Sequence, residues 1–396
     1  MRKFAGIIAL SSCPFLSIAG PWGNDFGLSY NPVAGGMGAA TYANPYTTSS
    51  SVFGNPATLI KYTQKPRSVT FGAAYVNIDF RLNHDGLITG APFSGKSDTV
   101  NFLIPNAAVT AKISDDVVIG GGFGITAGLG ADFRNDTPLS PAINYIAFGN
   151  NFSVAKKLND NWSIGATATM GFGLLDVGPV QSAGTVNDIA FRGTIGVLYD
   201  KDNFSFSAHY TTPLSFEFEN AFLISGTEFG NVPLEQPQEV VLGISYRFAE
   251  HWDWQAALLF KNWGSADGYE DIWENQQVLT SGFQYSKDKW AYRFGFGITS
   301  DLRKENLGST FAGNTTLGFG GQTIPLNPAV VEFLQASLAP SFWDYHVSFG
   351  LGYTFSEVTQ LDVFVAQIFG DEEEISVNNQ TDVDFLQLGG GFTWRF

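Results

Sequence analysis

From Arg67 onward, large apolar side chains fall on every second residue for long stretches. In 343–355, Trp343, Tyr345, Val347, Phe349, Leu351, Tyr353 and Phe355 share one face, against Asp344, His346, Ser348, Gly350, Gly352 and Thr354 on the other. The segment 289–299 sets Trp290, Tyr292, Phe294, Phe296 and Ile298 against Lys289, Ala291, Arg293, Gly295, Gly297 and Thr299. At the C-terminus Leu386, Leu388, Phe392, Trp394 and Phe396 oppose Phe385, Gln387, Gly389, Gly391, Thr393 and Arg395. Period two is a β-strand, and large apolar groups opposite small or polar ones give the lipid-out, lumen-in pattern of a membrane strand. Fourteen strands are predicted, at 67–80, 98–112, 117–131, 143–156, 161–176, 187–199, 203–220, 238–249, 252–263, 277–286, 289–299, 343–355, 358–370 and 382–396. Most exceed the ~9–11 residues that cross a bilayer at a steep tilt, whereas strands of soluble sheets average about five or six.

The connections carry more weight. Short turns at Ser114–Asp116, Lys157–Asp160, Asp200–Asp202, Glu250–His251, Lys287–Asp288 and Ser356–Glu357 alternate with long loops at 81–97, 132–142, 177–186, 221–237, 264–276, 300–342 and 371–381. Trimmed turns on one side and long loops on the other define an up-and-down barrel, whose closure leaves no unpaired edge. Trp162, Trp252, Trp290 and Trp394 fall at the short-turn end and Trp343 at the long-loop end, as in aromatic girdles at headgroup level. The expected architecture is all-β: a fourteen-stranded antiparallel transmembrane β-barrel over 67–396.

The N-terminal portion breaks this rhythm. Met1–Ala19 reads as a secretory signal, with Arg2 and Lys3, an apolar Phe4–Leu10 stretch and the small-x-small Ser17-Ile18-Ala19. Residues 20–66 are rich in glycine, alanine, serine and proline, with turn signals at Asn44-Pro45 and Asn55-Pro56. Alone they would pass for a linker; before a barrel they read as a hatch inside the lumen. A signal and a barrel together place the protein in the Gram-negative outer membrane.

Composition narrows the function. A formal charge of −16 argues against nucleic acid as a partner. Cys13, the single cysteine, lies inside the signal, which leaves no thiol chemistry or disulfide in a processed chain. There is no G-x-S-x-G, H-E-x-x-H or P-loop, so the chain is read as a non-enzyme that needs no cofactor or metal. His209 and His346, like Arg192 and Arg293, have lumen-facing parity. Either arginine could meet a solute carboxylate or could simply pair with an internal acid. Apolar residues dot two outer loops: Phe222, Leu223, Ile224 and Phe229 in one, and Val331, Phe333 and Leu334 in the other. They form either a capture surface for a hydrophobic solute or a lid over the barrel mouth. The acidic run Asp371–Glu374 is a solvated loop or a contact to cation-bridged lipopolysaccharide.

In the hatch, GGMGAATYANPYTTSSVFGNPATL contains Asn55-Pro56-Ala57. FLIPNAAVTAKISDDVVIGGGFGITAGLGADF, the units NDNWSIG, EHWDW with NWGS, and KDKWAYRFGFG follow, and FWDYHVSFGLGYTF and LQLGGGFTWRF close the chain. Together these resemble the outer-membrane long-chain fatty acid and aromatic-hydrocarbon transporter family of the FadL type. The resemblance implies a monomeric barrel that takes up a fatty acid, alkane or aromatic and releases it sideways beside a kinked third strand. It places Asn55, Pro56 and Ala57 near the kink and makes Gly124 and Gly128 the bend positions. The third outer loop, 177–186, has few large apolar groups, and DIWENQQVLT at 271–280 has no basic residue, so a neutral hydrophobe stands beside a fatty acid. A protein-secretion shuttle is the alternative within the same family.

Overall fold

A computed structural model describes residues 25–62, 65–86, 90–99, 101–136, 141–178, 184–225, 228–304, 307, 316–319, 322–325, 332–333, 335–337, 344–370, 373–376 and 379–396. The predicted signal, Val331, Leu334 and Trp343 lie outside these residues. Fourteen antiparallel strands form the barrel: β1 (Arg67–His84), β2 (Asn101–Ser114), β3 (Val117–Asp132), β4 (Ala142–Lys157), β5 (Trp162–Gly178), β6 (Val186–Lys201) and β7 (Phe204–Thr211), then β8 (Glu239–Ala249), β9 (Trp252–Lys261), β10 (Gln276–Lys287), β11 (Trp290–Thr299), β12 (Tyr345–Ser356), β13 (Thr359–Phe369) and β14 (Asn379–Arg395). Each pairs with its sequence neighbour, and β14 closes on β1 from Ser68↔Arg395 to His84↔Asn379. The periplasmic rim carries Trp162, Trp252, Trp290 and Trp394, all facing outward and exposed. Trp162 rests on Tyr199 and Trp290 on Tyr353, with ring centroids 5.0 and 4.6 Å apart.

One predicted strand is divided. The alternation over 203–220 runs unbroken, but β7 stops at Thr211, and Leu214–Ser225 instead pairs with Glu228–Gln236 in a separate hairpin. Pro213 explains the break, since it has no N–H to offer a ladder. The hairpin turns inward and buries Phe216 and Phe218 against Tyr145 of β4.

The hatch fills the lumen. It contains 3-10 turns at Gly35–Met37 and Pro56–Tyr62 and one short helix, α1 (Thr48–Phe53). Contact with the wall requires glycine: a Cβ on Gly295 of β11 would lie 2.0 Å from the Gly38 nitrogen. Side chains of the barrel satisfy the hatch backbone, as buried polar groups require. Gln255 Nε2 donates to Asn44 O at 2.8 Å, Ser207 Oγ to Tyr42 O at 3.0 Å, and Asn151 Nδ2 to Val52 O at 2.8 Å. On the periplasmic side, Lys61 Nζ meets Asp200 at 3.0 Å.

Above the hatch the outer loops close in. Trp263, Tyr269 and Trp273 form a fully buried aromatic cluster in the loop after β9. Phe333, also fully buried, sits 5.7 Å from the ring of His84 and 5.9 Å from that of Phe93. Gln335 Nε2 donates to Ile272 O at 3.3 Å, so this short segment links the tip of β1 to the loop after β9.

Candidate binding cavity and side slit

The wall is incomplete between β2 and β3. The two strands pair from Ser114↔Val117 up to Asn106↔Gly124 and no further. Above that point β2 stays bonded to β1 and β3 to β4, so the ladder has split between two intact neighbours. Two local features account for the split. Pro105, directly above Asn106, cannot donate to β3. On the other side the β3–β4 register shifts between Ile125 and Ala127, a bulge that bends the strand. Thr126–Ala131 are buried at every position, where plain alternation would expose every second one, so the upper half of β3 leans into the protein. Asp98 N to Asp132 O, at 2.8 Å, ties the rim back together above the slit.

The hatch blocks this slit from within. Asp25 forms a β-bridge to Ala127, and Phe26 N donates to Thr126 O at 3.0 Å. Behind it lies a cavity of about 40 Å³, lined by Phe26, Tyr30, Phe53, Ile104 and Ile125 on its apolar side and by Asn106, Arg192 and Glu239 on its polar side. A space of that size holds roughly a water molecule, so any larger solute must displace part of the strap or lid.

The polar side is a buried ion cluster. Lys261 Nζ donates to Asp25 Oδ2 at 2.6 Å and to Glu239 Oε2 at 2.7 Å, with the Lys261 side chain wholly buried. Burial opposes the charge on Asp25. The Lys261 ammonium, then the Arg192 guanidinium, outweigh that and hold its carboxyl below the ordinary range. Arg192 lines the cavity, and its buried Nε and Nη1 have no hydrogen-bond partner among the described residues.

The predicted site residues separate. Arg192 faces the cavity, and Gly124 and Gly128 bracket the β3 bulge. At Gly124 a Cβ would press on the Phe53 ring at 3.2 Å. Arg293 is committed elsewhere: Nη1 donates to Asp362 at 2.8 Å and Nε to Gln284 at 2.6 Å, which leaves it as an internal ion pair rather than a solute contact. His209 is buried against Tyr42, 5.5 Å between rings, and His346 packs where a Cβ on Gly297 would meet it. Asn55-Pro56-Ala57 is not at the kink. Asn55 Nδ2 donates to Val197 O at 3.0 Å and Ala208 O at 3.2 Å, and Pro56 and Ala57 lie over Gly165, so the motif seats the hatch on β5–β7. Phe222, Leu223, Ile224 and Phe229 lie on the inward-turned hairpin. Phe333 is part of the lid core and offers no exposed capture surface. Lys261, Asp25 and Pro105 were missed from sequence. Lys261 has lumen parity, and a proline inside a long alternating run marks a broken ladder, so both signals were available.

A lipid-facing barrel of fourteen strands with a plugged lumen and a slit in its wall is the architecture of an outer-membrane β-barrel protein. Residues 31–176 match the profile of the family described as outer membrane protein transport protein (OMPP1/FadL/TodX), which bears out the FadL-type recognition over the hatch and the first five strands. No curated protein matches the chain by sequence. Among solved structures, the P. putida toluene transporter TodX is 15% identical, covering 96% of this chain and 99% of its own, with a TM-score of 0.68. A Pseudomonas aeruginosa FadL homologue is 13% identical over 96% and 100%, with a TM-score of 0.69. The Ralstonia pickettii toluene transporter TbuX is 15% identical over 97% and 99%, at 0.64. At these identities the likeness is one of fold.

Proposed function

We propose that the protein takes up hydrophobic small molecules across the outer membrane and releases them sideways through the slit between β2 and β3. The observation that carries this reading is the ladder split above Asn106↔Gly124 with a cavity directly behind it. A straight path to the periplasm is opposed by the hatch anchors at Asn55, Asn151, Gln255 and Lys61, whereas the slit is covered by one short strap. The route inward is apolar: Tyr145, Phe216, Phe218, Leu129 and Ile104 belong to one continuous buried cluster. Relatives of the same fold include a toluene transporter and a monoaromatic hydrocarbon channel, consistent with a small-molecule solute. The test is uptake of a radiolabelled hydrophobe by cells carrying the protein with Ile104→Cys and Ile125→Cys joined by a thiol cross-linker. The reading expects uptake to fall on cross-linking and to recover with a cleavable linker after reduction. Unchanged uptake by the linked barrel would overturn sideways release.

A further inference from the structure

The lipid-facing wall carries a groove that belongs neither to the cavity nor to the slit. It crosses β4 to β8 between two ladder rows and encloses about 620 Å³. One row is Lys156, Ile164, Val197 and Ala208; the other is Val154, Ala166, Ile195, Tyr210 and Val240. By strand parity these side chains point away from the lumen, and Val154, Ile164, Ile195 and Val240 are exposed. The rows run oblique to the bilayer. Lys156 adjoins Lys157, the periplasmic end of β4, whereas Val240 adjoins Glu239, the outer end of β8. At the usual strand spacing the run from β4 to β8 is about 19 Å long. With strands tilted by roughly 40° it climbs about 12 Å into the bilayer, within the ~15 Å depth of one leaflet.

The charge of this groove sits at its periplasmic end. Lys157 is taken by Asp160 at 3.2 Å, but Lys156 has no acid partner among the described residues. Lys156 lies in register with Ile164, near the girdle pair Trp162 and Tyr199, and so at headgroup level. At the upper end the Tyr210 hydroxyl already donates to Gln238 at 2.8 Å. A cation at headgroup level that leads into an apolar trough is complementary to a phosphodiester with an acyl chain attached. We propose that this face of the barrel holds one glycerophospholipid of the periplasmic leaflet, with its phosphate on Lys156 and an acyl chain along the groove toward Val240. The lipid is a partner of the wall and not a transported solute, so the site stands whatever route the solute takes.

The experiment is native mass spectrometry of the folded barrel, titrated with palmitoyl-oleoyl phosphatidylglycerol and with the diacylglycerol of the same chains. Wild type should take up one phospholipid ahead of any further, weaker ones. Lys156→Gln should weaken that first binding about fivefold, the worth of one lysine near a membrane surface, and leave diacylglycerol unchanged. Lys201→Gln, at the same rim but outside the groove, should change neither. Ala166→Phe fills the groove and should weaken both ligands. Equal effects of Lys156→Gln and Lys201→Gln would mean generic annular contact only and overturn the proposal, as would full binding by folded Ala166→Phe. All three positions are exposed on the barrel wall, and a heat-modifiability gel checks folding before each titration. The two lysine variants decide the matter if Ala166→Phe does not fold.

Discussion

Arg192 and Arg293 share lumen parity, yet they have opposite roles, and truncating each to methionine separates them. Arg293 and Asp362 are almost wholly buried, and the guanidinium bonds Asp362 at 2.8 Å and Gln284 at 2.6 Å. Arg293→Met leaves the Asp362 carboxylate buried with the Gln360 amide, at 2.9 Å from each oxygen. Removing one partner of a buried pair costs about 3–5 kcal/mol, or roughly a hundred- to several-thousand-fold in the folding equilibrium. The retained Gln360 bonds put the expected loss in the lower half of that range. Adding Asp362→Leu should return stability to within about 1 kcal/mol, because replacing both charges removes the desolvation penalty. The assay is urea unfolding of the barrel from lipid vesicles, followed by tryptophan fluorescence, with solute binding measured on the same samples. Arg293→Met should lose stability and keep binding. Arg192→Met, which removes no direct hydrogen bond, should cost less stability than Arg293→Met and should weaken solute binding at the cavity. The reasoning fails if Arg293→Met unfolds like wild type, or if its binding falls while its stability holds.

Three further outcomes follow from the geometry. Gly124→Val directs a side chain at the Phe53 ring, 3.2 Å from its Cβ, and at the cavity; it should assemble normally yet slow hydrophobe uptake, measured in whole cells. Gly295→Ala places a methyl group 2.0 Å from the Gly38 nitrogen. It should unseat that turn of the hatch and raise single-channel conductance in planar bilayers above that of the wild type. Asn55→Ala removes the bonds to Val197 O and Ala208 O, at about 1 kcal/mol each, and should loosen the hatch, seen as faster hydrogen exchange over 56–62, without altering ligand affinity.

The bilayer makes much of this fold legible in sequence. Each strand must satisfy lipid on one face and a packed lumen on the other, so the alternation from Arg67 to Phe396 exposes strand number, orientation and which side chains point inward. The difference between short turns and long loops then fixes the up-and-down order, because neighbours in sequence are neighbours in the barrel. Proline marked the two departures, Pro105 at the split and Pro213 at the end of β7, and both were readable. Parity says which face a residue takes, but it gives neither its height nor its neighbours across the lumen. Those depend on strand register and on how the hatch docks. Asp25 and Lys261 lie 236 positions apart, and only the closed barrel brings them within 2.6 Å. Arg192 and Arg293 have the same parity, and only folding gives one an acid of its own and leaves the other facing the cavity.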